Sequence, residues 1–149
     1  MNPELLTRLE TQLDSLELFT ASEEEFSHKP IPEKWSAHEN LAHLGHYHEV
    51  FLERLKRMAS EEEPEFTRFK PDADPGFLAW AAKEPSEVLA GLNSERSSLL
   101  DFLNEQPSSY FERTGKHPLY GVLIVQEWLE LFLLHEAHHL YVALLRLRS

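Results

Sequence analysis

The residues best suited to chemistry sit in the most apolar stretch of the chain. His135, His138 and His139 interrupt the run 122–147, where most other residues are Leu, Val, Ile, Phe, Trp or Ala. A helix that apolar is normally buried, and a buried imidazole is costly unless its nitrogens are satisfied. Residues four apart share one helical face, with Cβ atoms about 5–6 Å apart. Metal–nitrogen bonds of about 2.0–2.1 Å would let His135 and His139 reach one zinc-like ion. The implied chemistry is that of a divalent cation acting as a Lewis acid or generating a nucleophile. The competing reading is a pair of core or interface histidines hydrogen-bonded to backbone or carboxylate. The same residues also match the H-E-x-x-H pattern of zinc proteases, with Glu136 as general base. Only ten residues follow His139, which leaves almost no room for a downstream third ligand, and no strand is predicted that could hold a peptide. That reading ranks last.

The elements that must position these groups are helical. Apolar residues recur with helical period and no segment shows two-residue alternation. A first helix is predicted from Pro3 to Thr20, with Leu6, Leu9, Leu13 and Leu16 inward and Pro3 at its first position. Ser22 and Glu25 form a capping-box pattern that opens a short helical turn. Pro30 and Pro32 then bar a continuous helix. Ser36 and Glu39 mark the start of a second long helix reaching Ser60, with Leu41, Leu44, Phe51 and Leu55 on its apolar face. Residues 61–84 form a long acidic, proline-containing link, and a link that long serves function or a crossover. Phe77, Leu78 and Trp80 predict that it packs back on the bundle. A third long helix spans Ser86 to Glu105, with Leu89, Leu92, Leu99 and Leu103 inward. Residues 107–121 are irregular, and the apolar helix closes the chain from Gly121 to Arg148. The fold class is therefore all-α, a four-helix bundle with at least one crossover in a single domain over residues 1–149.

The second long helix supplies another histidine cluster: His38, His43, His46 and His48. His48 falls mid-face and reads as a core residue. His43 lies at the edge of that face, beside Tyr47 and Val50, which permits a ligand there without selecting it.

Bulk properties narrow the function. The formal net charge is −12, which argues against a nucleic-acid groove and against docking on an anionic membrane. No cysteine is present, which removes disulfides, Cys-ligated zinc and a cysteine nucleophile, and suits a reducing cytoplasm. Met1-Asn2-Pro3-Glu4 does not open a signal peptide. Glu127, Glu130, Glu136 and the histidines make the last helix a bundle element rather than a membrane span.

Three segments together resemble the DinB/YfiT-like superfamily of metal-binding four-helix bundles. Lys34-Trp35-Ser36-Ala37-His38-Glu39-Asn40-Leu41-Ala42-His43-Leu44 is similar to the family's Trp-Ser-x-x-Glu-x-x-x-His-Leu opening of its second helix. His117-Pro118-Leu119-Tyr120-Gly121, followed by Glu127-Trp128-Leu129, looks like the family's approach to its last helix. His135-x-x-x-His139-Leu140 completes the set. The resemblance spans nearly the whole chain, although residues 61–110 carry no motif.

The resemblance implies that His43, His135 and His139 hold one divalent ion, nickel, zinc or iron-like, with a coordination position left open. It implies a metal-dependent enzyme acting on a small molecule, a thiol S-transferase using a low-molecular-weight thiol co-substrate or a hydrolase. The alternative is a non-catalytic metal-binding or stress-response module. His46 stands where relatives often carry Asp, and is a candidate fourth ligand, acid/base group or bystander. Glu39, one turn before His43, is a candidate partner for a ring N–H or a bound water, with the capping box as its other role. Tyr47 could donate to a substrate or serve as core packing. Leu129, Leu133, Leu140 and Leu144 lie opposite the histidine stripe, and one core cannot cover every face of so apolar a helix. A homodimer through the last helix is expected on that ground.

Overall fold

The long helices begin where side chains can satisfy their first free N–H groups. In the computed structural model, which describes residues 1–72 and 74–149, Ser36 accepts from the Glu39 amide and the Glu39 carboxylate accepts from the Ser36 amide. This reciprocal cap starts α3, Ala37–Ser60, where the sequence places it. The same device at Ser22 and Glu25 opens the short α2, Glu23–Ser27. The first helix departs from expectation. It is α-helical only over α1, Pro3–Thr11, and tightens into a 3₁₀ segment, Gln12–Leu18. Leu5 takes the fully buried place expected of Leu6, with Leu9, Leu13 and Leu16 continuing the stripe. The remaining helices are α4, Pro75–Ala81, α5, Pro85–Asn104, and α6, Val125–Leu147.

The four long elements form a bundle with unusual connections. α3 packs on both α5 and α6, and α1 also packs on both, so α1 faces α3 across one diagonal and α5 faces α6 across the other. The connections from α1 to α3 and from α5 to α6 therefore cross the bundle. The long link from Glu61 to Glu84 joins neighbours, so a crossover does not explain its length. It folds back instead, as its aromatic residues predict. Trp80 of α4 wedges against α3 and α5 where both carry glycine, and a Cβ at Gly45 or Gly91 would meet the indole at 2.2 and 2.7 Å. The Trp80 indole N–H donates to Glu49 Oε1 at 2.9 Å.

Residues 107–124 are more ordered than their composition indicates. After a 3₁₀ turn, Ser108–Glu112, strands β1, Thr114–His117, and β2, Gly121–Ile124, pair antiparallel with Gly115 opposite Leu123. Gly121 has φ +79°, a conformation that favours glycine. Four-residue strands reading Thr-Gly-Lys-His and Gly-Val-Leu-Ile show no alternation to detect. They also shift the start of α6 from Gly121 to Val125. β1 tethers the long link: the Phe66 amide donates to Lys116 O at 3.1 Å and the Lys116 amide to Pro64 O at 2.8 Å. Among the described residues, no helix is long and apolar enough to cross a membrane.

The apolar core is split in two. One half gathers Leu5, Leu9, Phe51, Leu55, Leu99, Trp128 and Phe132, and the other Leu13, Leu16, Leu41, Leu44, Leu92, Leu140 and Ala143. Between them lies a polar layer built from one turn of each long element. Arg96 donates to Glu136 Oε2 at 2.5 Å and to Leu9 O, and Gln12 donates to Glu136 Oε1 at 2.8 Å. His48 donates from Nδ1 to Leu44 O at 2.8 Å, which leaves Nε2 to face Arg96 Nη2 at 3.3 Å. His48 is thus the core histidine its position indicates. Leu129, Leu133 and Leu140, expected at a dimer face, are buried inside the bundle. They are covered by α6's neighbours, so they do not form an outer apolar strip.

Glu136 has no solvent exposure and is turned away from the ring cluster into this layer. It is a structural anion here rather than the general base of a protease motif. Glu136→Gln would leave a buried guanidinium uncompensated, which costs about 3–5 kcal/mol. Urea denaturation of the variant should show a loss of that order. A loss below about 1 kcal/mol would mean that Arg96 does not depend on Glu136.

Candidate metal centre

Three imidazoles converge between α3 and α6. His43 projects from α3, and His135 and His139 project one turn apart from α6. One ring nitrogen from each lies within 4.8 Å of the others. His43 Nε2 and His135 Nε2 are 3.1 Å apart. Ring centroids are separated by 4.5 Å for His43–His139, 4.7 Å for His135–His139 and 5.0 Å for His43–His135. Two ligands on a tetrahedral ion with bonds of about 2.0–2.1 Å stand about 3.3 Å apart. The cluster is therefore nearly closed to that size.

The rings are held by different means. His139 Nδ1 donates to Asn40 Oδ1 at 2.9 Å, while Asn40 Nδ2 donates to Ser36 O at 2.8 Å, which fixes the amide orientation. That tautomer leaves the His139 Nε2 lone pair free toward the cluster, the usual orienting arrangement for a ligating histidine. His43 is packed by Trp35, centroids 5.0 Å apart, and stacked by Phe69 at 5.8 Å and 20°. His135 rests against Tyr47 at 4.3 Å. The Nδ1 atoms of His43 and His135 are buried without a hydrogen-bond partner among the described residues.

Burial is the main reason these rings stay neutral. Desolvation, helped by the neighbouring imidazoles, lowers the His43 pKa to about 2 and the His139 pKa to about 3. His135 falls to about 4, again chiefly through burial, with His138 adding to it. Three neutral rings presenting nitrogen lone pairs to one point, with no carboxylate among them, make a donor set for a borderline cation such as Zn²⁺ or Ni²⁺. The donor set fits a divalent ion: His43 Nε2 and His135 Nε2 approach to 3.1 Å and Asn40 keeps the His139 Nε2 lone pair free, so one shared cation can be reached by all three rings.

The other candidates fall outside the cluster. The Glu39 carboxylate closes the α3 cap and binds Lys29 at 3.0 Å, so its capping role prevails. His46 lies one turn past His43 but is held between Glu49, 3.3 Å from Nδ1, and Asp74, 3.0 Å from Nε2. The Nε2 contact is close but not aligned as a hydrogen bond. Gly76 presses on the same ring, where a Cβ would come within 2.1 Å. His46 is thus an anchor for the start of α4 rather than a fourth ligand. His138 is solvent-exposed. Asn40 and Phe69 were not singled out from the sequence. Asn40 could have been found, because it stands three residues before His43 and so shares its face. Phe69 lies in a link without periodicity and gave no signal.

The profile of the DinB superfamily matches residues 5–143. The chain belongs to the DinB superfamily. The uncharacterized protein YuaE of Bacillus subtilis (strain 168) is 28% identical over 138 residues, covering 83% of this chain and 84% of YuaE. YfiT from Bacillus subtilis, described as a probable metal-dependent hydrolase with an unusual four-helix bundle topology, shares the fold with a TM-score of 0.71. It is 20% identical, over 97% of this chain and 82% of YfiT. TT2238, a four-helix bundle protein, superposes with a TM-score of 0.65 at 26% identity, over 94% of each chain. The diagonal connections of this DinB-superfamily bundle explain how α3 and α6 become neighbours and face their histidines together.

The depressed imidazole pKa values set a pH dependence. An unfolded histidine titrates near 6.5, whereas His43, His48, His135 and His139 stay neutral in the fold to about 4 or lower. Below pH 6.5 the unfolded chain binds more protons, so stability is lost as pH falls from 6.5 toward 4. At pH 5 the loss is about 2 kcal/mol for each ring that remains neutral. Melting of the metal-free protein should move steadily downward from pH 7 to pH 5. A flat profile over that range would show that the rings are not desolvated.

Proposed function

We propose that the protein is a divalent-metal-dependent enzyme acting on a small molecule, with His43, His135 and His139 as the metal ligands. The observation that carries this reading is the convergence of three neutral imidazoles, one buried and two half-buried, on one point beside a cavity. A protein of the same fold, YfiT, is described as a probable metal-dependent hydrolase, which supports the same class. A divalent ion so held supplies Lewis-acid chemistry and acidifies a water or thiol at its open position to give a nucleophile near neutral pH.

The chain's own residues do the rest. Trp35 and Phe69 exclude water from the His43 side. Tyr47 and His135 border a cavity of about 260 Å³ that no aspartate or glutamate lines. No carboxylate base is therefore placed to take a proton in that cavity. This arrangement favours a nucleophile that is already deprotonated, either a water-derived one in a hydrolase or a low-molecular-weight thiol in an S-transferase. A cysteine-free chain is compatible with a thiol that arrives as co-substrate, and with a reducing cytoplasmic setting.

Purified protein should contain about one equivalent of nickel, zinc or iron, and His43→Ala and His139→Ala should each lose it together with turnover of thiol-reactive or hydrolysable small molecules. Metal content unchanged in both variants would reject the three-histidine site. Full metal content without turnover of any thiol or water acceptor would favour a binding module.

We also propose a homodimer, on a different face of α6 from the one the leucine pattern indicates. Leu134, Tyr141 and Leu145 are 66%, 64% and 43% exposed and share one side of α6. Sedimentation should give a dimer at micromolar concentration, and Leu134→Glu with Tyr141→Glu should give a monomer. A wild-type monomer would contradict the proposal.

A further inference from the structure

The cavity beside His135 mixes apolar side chains with hydrogen-bond donors, and no acidic residue lines it. Its lining includes Tyr47, Arg54, Arg68, Phe69, His117 and His135. Arg54 is a cation with 8% exposure. Its one hydrogen bond among the described residues is from Nη2 to Thr67 O at 3.1 Å, and it has no carboxylate partner there. Its guanidinium lies near the rings of Phe66 and Trp128, with Cζ 5.6 and 5.8 Å from the ring centroids. Its remaining N–H groups make no hydrogen bond among the described residues, and a planar guanidinium fork matches a carboxylate. Arg68, also on the lining, makes no ion pair among the described residues. His117 Nδ1 accepts from the Leu119 and Tyr120 amides at 3.0 and 3.1 Å. Burial lowers its pKa, so the neutral ring carries its proton on Nε2 and adds a further donor.

Arg54 is buried here without a carboxylate partner, and the exposed Arg68 adds a second positive charge beside it. The chain holds 26 acidic residues against 14 Lys and Arg, and none of the 26 reaches the cavity lining. Arg57, three residues from Arg54, is by contrast paired with Glu61 at 2.6 Å. A larger groove of about 530 Å³ adjoins on the other side of Arg54, Arg68 and Phe69, but it mixes these cations with Glu49, Glu53 and Asp74. A buried charge without a partner costs free energy that folding alone does not return. A ligand anion is the group that completes it.

We infer that Arg54 and Arg68 form the specificity subsite for a carboxylate on the small molecule that enters beside His135. Arg54 and Arg68 together receive the carboxylate, and the reacting end of the molecule is left against His135, the member of the three-histidine cluster on the lining. The inference rests on the proposed metal centre only for what happens to the reacting end. The anchoring of the carboxylate is measured separately.

The test is an NMR titration of the protein as purified with propionate and with its neutral isostere propionamide, with metal content determined on the same samples. Propionate should shift the amide signals around Tyr47, Phe69 and His117 and saturate, and propionamide should not. Arg54→Met should weaken propionate at least tenfold, and Arg68→Gln, an exposed position that leaves the core intact, several-fold. Equal affinity for the two probes would overturn the inference. So would unchanged propionate affinity in both variants, the result expected if the anion simply ligates a metal. Arginine-dependent binding in a protein that takes up no metal would retain the carboxylate subsite and remove the metal centre instead.

Discussion

Three imidazoles meet between α3 and α6, and desolvation keeps all of them uncharged. Everything else in the structure either brings those rings together or makes their desolvation tolerable. Neutral histidines are costly to bury and useful once buried, because each keeps a lone pair available in a medium that competes poorly for it. The diagonal connections from α1 to α3 and from α5 to α6 matter for this reason. They make α3 and α6 neighbours, so that one histidine from the first faces two from the second.

The same level of the bundle carries a second polar group set with the opposite purpose. Arg96, Glu136, His48 and Gln12 satisfy one another across α5, α6, α3 and the first helix. Glu136 sits between His135 and His139 in sequence but points to the other side of α6, since successive residues on a helix are turned by about 100°. One stretch of α6 thus supplies a closed structural network on one face and an open ligand set on the other. The closed network pairs its charges within itself. The open one gathers a ring nitrogen from each of three imidazoles with no carboxylate among them, and that makes it the candidate binding site.

The sequence made the bundle legible because its caps and apolar periodicity agree. Ser36 and Glu39 announce α3, and the i,i+4 spacing of His135 and His139 guarantees that two rings share a face. His43 was selected by family resemblance, since its place at the edge of an apolar face is not diagnostic alone. The parts that stayed hidden depend on distant contacts. The β1–β2 hairpin is stabilised by pairing with the long link rather than by local alternation. Phe69, Arg54 and Arg68 acquire a role only when that link folds across α3. The outer face of α6 was misassigned for a related reason: a helix apolar all round does not reveal which leucines its neighbours cover.

The central claim is that one ion joins α3 to α6 through three imidazoles. A crystal structure of the metal-loaded protein with anomalous scattering measured at the metal edge tests it most directly. The account predicts one strong anomalous peak bonded to nitrogens of His43, His135 and His139 at about 2.0–2.1 Å, with at least one further position not filled by protein. A peak ligated elsewhere, or three rings that stay apart with no peak between them, would contradict it.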